Sequence, residues 1–311
     1  MRNKRFYWLF AALLLIQGTT VSQTSDSGKL ISRAAYRKAP FEAVKGLEKL
    51  FNKAEYETAL NDERFQMESV KYLSDGITVS ALLYGPKKPA TKLPVIIFNR
   101  GGYIRGDIGH ELLPMFHRFA AEGFIVIAPM YRASDGAAGK DEVGGEELHD
   151  LMNVVPLLSS IGDADTSNLF LYGESRGGMM VFQAIRDGFP ANAAATFGGF
   201  TDFGALVAAD PKLYDPLIKA IWTDFDAKKE EISKRRSAMA WPEKINIPIF
   251  LMHGGDDRSV DPQQTLSFAQ SLQELKKPYE LHIYHGDGHT LSKNQKDRDA
   301  RAAAWFKTYI K

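Results

Sequence analysis

Ser175 stands in Gly173-Glu174-Ser175-Arg176-Gly177-Gly178, a G-x-S-x-G sequence with one further glycine. A serine hydroxyl is a weak nucleophile at neutral pH. It attacks a carbonyl usefully when a base takes its proton and a third group orients that base. Histidine is the usual base and a carboxylate the usual orienting group, and both types follow in the chain. Asp256, Asp257 and Asp261 share the segment 251–261, and His285 and His289 share the segment 284–289. Asp261 immediately precedes Pro262, which suits it to capping a helix. His289 sits in mid-loop after flexible glycines, whereas His285 is still attached to an apolar run. The loop position favours His289 as the base. His253 reads as a support for the acid loop, and His110, His117, His149 and His282 as surface or core residues.

A carbonyl under attack develops negative charge and needs two donors aimed at it. One is the backbone N–H of Arg176, the residue after the serine. The other is expected from the loop Asn99-Arg100-Gly101-Gly102-Tyr103, where glycines let the backbone approach closely. Gly101, Gly102 and Tyr103 are the candidates, and the Tyr103 hydroxyl is an added donor. Ordinary loop packing is the alternative role for Arg100 and Tyr103.

So short a pattern gains meaning from the elements that hold it. Asn168–Tyr172 reads as a buried strand and Met179–Ile185 as a buried helix, so Ser175 falls on a sharp strand-to-helix turn. Glycines flank it because larger side chains would clash in that bend. Strand patterns also cover Met67–Leu73, Ile77–Tyr84, Leu93–Asn99, Phe124–Pro129, Ala193–Phe197, Ile247–Met252 and Tyr279–Tyr284. Helical patterns cover Glu111–Glu122, Gly145–Ser159, Pro262–Leu275 and Ala300–Ile310. Alternation of this kind predicts an α/β fold, a mostly parallel sheet with helices on both faces. Ligands of such sheets lie beyond the carboxyl ends of the strands, and every chemical candidate above follows a predicted strand. The order serine, acid, histidine is also the one expected for an elbow on such a sheet. Residues 200–241 interrupt the alternation with a helical, aromatic-rich stretch, read as a cap insertion over the site. Its Phe200, Phe203, Trp222, Phe225 and Trp241 serve either as apolar walls of a substrate pocket or as packing onto the sheet.

The chain has 311 residues and no cysteine, which excludes disulfides, thiolate metal sites and cysteine nucleophiles. Its formal net charge is +1, without a basic patch that would suggest nucleic acid or an anionic membrane surface. Arg2, Lys4 and Arg5 precede an apolar run from Phe6 to Ile16 and then small polar residues. That layout predicts a secretory signal over residues 1–22 and an exported, periplasmic or secreted protein. The apolar run falls short of the roughly 20 residues that span a membrane; an uncleaved anchor is the alternative. Residues 23–64 carry a weak helical pattern and read as an N-terminal helical extension, ahead of a catalytic domain over 65–311.

The motifs together resemble the catalytic domain of the prolyl oligopeptidase family of serine peptidases, within the α/β-hydrolase fold. Gly173-x-Ser175-x-Gly177-Gly178 is similar to that family's elbow. His253-Gly254-x-x-Asp257-x-x-Val260 is similar to its acid motif, which puts the acid on Asp257. Gly286-x-Gly288-His289 is similar to its histidine loop, and Tyr131-Arg132-Ala-Ser134 with Gly139, Gly144, Gly145 and Asp150 to its middle segment. The resemblance runs from about Val70 to Ile310. It implies an acyl-enzyme mechanism with Ser175, His289 and Asp257, no cofactor and no metal, acting on a small peptide or ester. Members usually carry a β-propeller ahead of this domain, and too few residues precede the sheet here to build one. Members also usually have histidine or tyrosine where Arg100 stands, so a tyrosine hydroxyl from that position is missing from the oxyanion hole. A carboxylesterase of the same fold is the alternative. A non-catalytic binding protein on this scaffold is a further one, against which the intact order of the three residues argues.

Overall fold

A computed structural model describes residues 26–104 and 106–311. The expected signal segment, 1–22, lies outside the described residues. Nine strands form one sheet among the described residues: β1 (Leu30–Ala35), β2 (Phe65–Ser74), β3 (Ile77–Pro86), β4 (Leu93–Asn99), β5 (Ile125–Pro129), β6 (Ala164–Glu174), β7 (Ala193–Phe197), β8 (Ile249–Gly254) and β9 (Tyr279–Tyr284), in the order β1-β2-β3-β5-β4-β6-β7-β8-β9. The pairs β1–β2, β2–β3 and β3–β5 are antiparallel, and all those from β5 to β9 are parallel.

The helices are α1 (Lys53–Asn61), α2 (Gly109–Ala121), α3 (Leu148–Met152), α4 (Val154–Leu158), α5 (Arg176–Arg186), α6 (Phe203–Ala209), α7 (Pro211–Ile221), α8 (Phe225–Arg236), α9 (Pro262–Glu274) and α10 (Gln295–Lys307). They bury both faces of the sheet, so the central strands read as continuous apolar runs. Val95 and Ile97 of β4 face a core completed by α5 and α9. Ile96 and Phe98 face a second core completed by α2 and α10. Among the described residues, no helix is long and apolar enough to cross a membrane.

The path of the chain creates the crevice. From β4 it passes through α2 to β5 on one side, then returns past β4 to β6 on the other. The connections on either side of β4 therefore diverge, and the gap between them opens at the carboxyl ends of β4 and β6. Asn99 pairs with Gly173 in register, so the loop after β4 and the serine after β6 emerge side by side.

The structure differs from the sequence reading in three places. The helical extension expected over 23–64 is not seen in its described part, 26–64, where β1 pairs with β2 and Lys53–Asn61 is the one α-helix. The apolar spacing at Phe41 to Phe51 instead belongs to two single 3-10 turns. The helix expected over Gly145–Ser159 is two short ones, α3 and α4, meeting at Asn153. Pro156 lacks the N–H that would bond back one turn, so the helical ladder breaks there. The last helix starts at Gln295, earlier than the pattern from Ala300 suggested.

Candidate active site

Ser175 has φ 51° and ψ −119°, a left-handed conformation that side chains rarely adopt, and it caps α5. The bend leaves no room for side chains beside it. A Cβ on Gly177 would stand 1.8 Å from the Asn99 carbonyl oxygen, and one on Gly173 would stand 2.5 Å from the Gly177 oxygen. The glycines of the motif are therefore steric requirements of an elbow packed against β4.

His289 Nε2 lies 2.9 Å from Ser175 Oγ, and His289 Nδ1 lies 2.7 Å from Asp257 Oδ2. Asp257 follows β8 and is buried, and His289 follows β9. An ionised carboxylate only accepts, so the imidazole nitrogen facing it carries the proton. That leaves Nε2 of His289 to accept from the Ser175 hydroxyl. Asp257 takes four donors in all. Its Oδ1 accepts from the N–H groups of Ser259 (2.8 Å) and Val260 (3.0 Å), and its Oδ2 also meets His253 Nε2 at 2.9 Å. Burial acts to raise the carboxyl's pKa. The hydrogen bonds from His253, from His289 and from the Val260 N–H outweigh it and hold Asp257 well below the usual carboxylate range.

The other candidates fall elsewhere. Asp256 is exposed, and Asp261 caps α9 by accepting from Gln263 N at 2.9 Å. His285 is exposed on the end of β9. His253 supports the acid loop as expected, with Nδ1 2.7 Å from Thr265 Oγ1. His110 and His117 pack beside Tyr36 and Asp62, His149 beside Asp75, and His282 against Tyr284.

On the side of the loop after β4, Gly101 abuts the serine: a Cβ there would lie 3.2 Å from Ser175 Cβ. Gly102, Tyr103 and Arg176 line the same pocket as Ser175 and His289. The Tyr103 hydroxyl, expected as an added donor, instead donates to the Asp141 carbonyl at 3.0 Å. The Arg176 side chain is buried in an ion cluster, with Nη1 2.7 Å from Asp141 and Nη2 2.8 Å from Glu147. Burial pushes the Asp141 carboxyl up despite that charge. Asp141, Glu147 and Thr265 were not singled out in the sequence. Nothing in their local spacing marks them, since each acts through a fold-distant partner. Arg132 and Asp150 of the middle segment form a buried ion pair at 2.8 Å, a scaffold role.

Beside Ser175 lies a cavity of about 160 Å³. The insertion roofs it with Leu206, Tyr214, Leu217, Ile218, Ile221 and Trp222, and Phe200, Phe203, Val143 and Val260 complete the apolar wall. Phe225 and Trp241 of the insertion do not line it and are buried in packing.

A mostly parallel sheet that presents such groups on the carboxyl ends of β6, β8 and β9 is the α/β-hydrolase architecture. The model of the prolyl oligopeptidase family matches residues 114–311, more than half of the chain, and the chain belongs to that family and is a serine hydrolase. Among curated proteins it is similar to the uncharacterized peptidase YtmA of Bacillus subtilis (strain 168), 27% identical over 247 residues that cover 79% of this chain and 95% of YtmA. It is also similar to the acylamino-acid-releasing enzyme of Homo sapiens, 24% identical over 79% of this chain and 35% of that protein. Among solved structures, a puromycin-hydrolyzing peptidase of Mycobacterium tuberculosis shares the fold, with a TM-score of 0.67 and 21% identity over 78% of this chain and 39% of that one. The chain thus spans nearly all of YtmA but little more than a third of the other two.

Proposed function

We propose that this protein hydrolyses small peptide or ester substrates through an acyl-enzyme. Ser175 Oγ attacks the substrate carbonyl while His289 Nε2 takes the hydroxyl proton. Asp257 orients His289 and stabilises its charged form. The N–H of Arg176 and an N–H of the 101–103 loop bind the oxyanion. His289 returns the proton to the leaving amine or alcohol, the carbon–heteroatom bond breaks, and the acyl group stays on Ser175. Water then attacks the acyl carbon, losing a proton to His289; the bond from the acyl carbon to Ser175 Oγ breaks, His289 returns the proton to Oγ, and the acid leaves.

The observation that carries this reading is the unbroken chain from Ser175 Oγ through His289 to Asp257, at 2.9 and 2.7 Å, beside an apolar cavity. A dry cavity of about 150 Å³ lined by aliphatic and aromatic residues accepts a benzene ring, so one of about 160 Å³ suits a Phe- or Leu-sized group. No carboxylate or lysine lines it, and the guanidinium of Arg176, which does, is already paired with Asp141 and Glu147, so an acidic or basic group there would lose its hydration without a free partner. Burying an aromatic or branched aliphatic side chain is worth about 1.5–3 kcal/mol. The group next to the scissile carbonyl is therefore expected to favour Phe or Leu over Gly by roughly 10- to 100-fold in kcat/KM.

The test is kcat/KM for p-nitrophenyl esters of increasing acyl length, for Gly, Leu, Phe and Glu p-nitroanilides, and for casein. Apolar small substrates should lead and Ser175→Ala should lose them all. A preference for the Glu substrate, or casein cleavage that rivals the small ones, would count against this reading. Esters turned over with no anilide cleaved would favour the carboxylesterase alternative.

A further inference from the structure

The loop after β4 is gripped by two buried guanidiniums. Arg100 Nη1 donates to the carbonyl oxygens of Gly101 at 3.2 Å and Tyr103 at 2.7 Å. Its Nη2 donates to Met130 O and Ser134 Oγ, at 2.8 and 2.7 Å, which fixes the far side of the fork. Arg176 Nη1 donates to the carbonyl of Gly102 at 3.0 Å. Three successive carbonyls, 101 to 103, thus point at arginine side chains. Both guanidiniums lie over the Tyr131 ring, 5.1 and 5.2 Å from its centroid. Asp141 and Glu147 anchor Arg176 from its other sides.

A peptide unit is planar and trans, so its N–H points opposite to its C=O. Holding the Gly101 carbonyl sets the direction of the Gly102 N–H, and holding the Gly102 carbonyl sets that of the Tyr103 N–H. Gly102 and Tyr103 line the pocket with Ser175. We infer that Arg100 and Arg176 are positioning residues for the oxyanion hole, turning the Gly102 and Tyr103 N–H groups toward the charge formed at Ser175. Arg176 then sets both halves of the hole, one with its own N–H and the other through its side chain. The inference rests on the proposed nucleophilic role of Ser175. It gives Arg100 a function at the position where a tyrosine hydroxyl is missing.

Lysine keeps the charge and loses the fork. A lost oxyanion donor costs on the order of 10²–10³ in kcat, so a misdirected one should cost about 10- to 100-fold. Arg100→Lys and Arg176→Lys should show that fall in kcat per fluorophosphonate-titrated site, with KM held within roughly threefold. Affinity for a Phe-derived boronic acid, whose tetrahedral adduct enters the hole, should fall with kcat/KM, while affinity for the carboxylate product stays. If either lysine variant fails to fold, Ser134→Ala removes one anchor of Arg100 and leaves both charges. It should lower kcat by roughly 3- to 10-fold in the same pattern. Unchanged kcat per site in folded variants, or boronate and product affinities falling together, would overturn the inference. Turnover retained by Ser175→Ala would instead remove the nucleophile on which it rests.

Discussion

At Ser175 the backbone is held at φ 51°, a conformation that costs about 1–3 kcal/mol for a non-glycine residue. The packing of Gly177 against the Asn99 carbonyl enforces it, and the strain lifts Oγ to 2.9 Å from His289 Nε2. Two histidines follow β9, and they differ in what they touch. His289 joins Ser175 to Asp257, while His285 is exposed and has no part in that chain. His289→Ala should therefore be as inactive as Ser175→Ala, with kcat lower by about 10⁴ or more. His285→Ala should keep most of its activity. Steady-state kinetics on a p-nitrophenyl ester ranks the two, and the reverse order would contradict the assignment. Asp257 is placed by its four donors, so its ionised state persists well below the pH range of such assays.

Helix α10 lies far from Ser175 in sequence yet holds the strand that presents it. Asp299 Oδ1 accepts from the Tyr172 hydroxyl at 3.0 Å, three residues before the serine, and Oδ2 accepts from Arg118 of α2 at 2.8 Å. Burial acts to raise the Asp299 pKa, and the charges of Arg298 and Arg118 outweigh it, so the folded value lies below the ordinary one. A depressed carboxyl contributes stability above its unfolded value of about 3.9, and that contribution is lost as pH falls below it. Asp299→Asn should cost about 3–5 kcal/mol at neutral pH by leaving buried guanidinium charge less compensated. Urea unfolding at pH 7 and at pH 3.5 checks the sign: the gap from wild type should shrink in acid, and a gap that grows would contradict it. The elements themselves differ in how plainly they could be read. Leu93–Asn99 and Ala193–Phe197 match their observed bounds because both faces are buried and the apolar run is continuous. β1 escaped notice because it is an edge strand with mostly exposed side chains, held by backbone bonds to β2. The break between α3 and α4 was marked by Pro156, yet apolar spacing runs through it.

At the scale of the molecule, sequence order and space are linked by one topological fact. The strands after β4 add on alternate sides of it first, so the switch in direction opens a crevice at β4 and β6, and the later strands β8 and β9 extend their loops toward it. This is why serine, acid and histidine, the first and last of them 114 positions apart, were legible as a set: each follows a strand and needs only that rule to meet. The support around them was less legible. Asp141 and Glu147 reach Arg176 from the loop between β5 and α3, and Thr265 reaches His253 from α9. These contacts depend on how layers stack, which a single strand's pattern does not record. The insertion was legible as helical, and its aromatics divide between both expected roles. Phe200, Phe203 and Trp222 wall the cavity, whereas Phe225, at the start of α8, stacks on Trp222 with ring centroids 6.1 Å apart, and Trp241 packs under the Arg186 guanidinium, 4.9 Å from its ring.

The most direct test of Ser175 as the nucleophile is covalent labelling of the folded protein with a fluorophosphonate, followed by mass measurement of its peptides. One adduct per chain is expected, on the peptide that carries Ser175, with none on Ser175→Ala and much slower labelling of His289→Ala. An adduct that persists on Ser175→Ala, or one found on another residue of the wild type, would contradict the assignment.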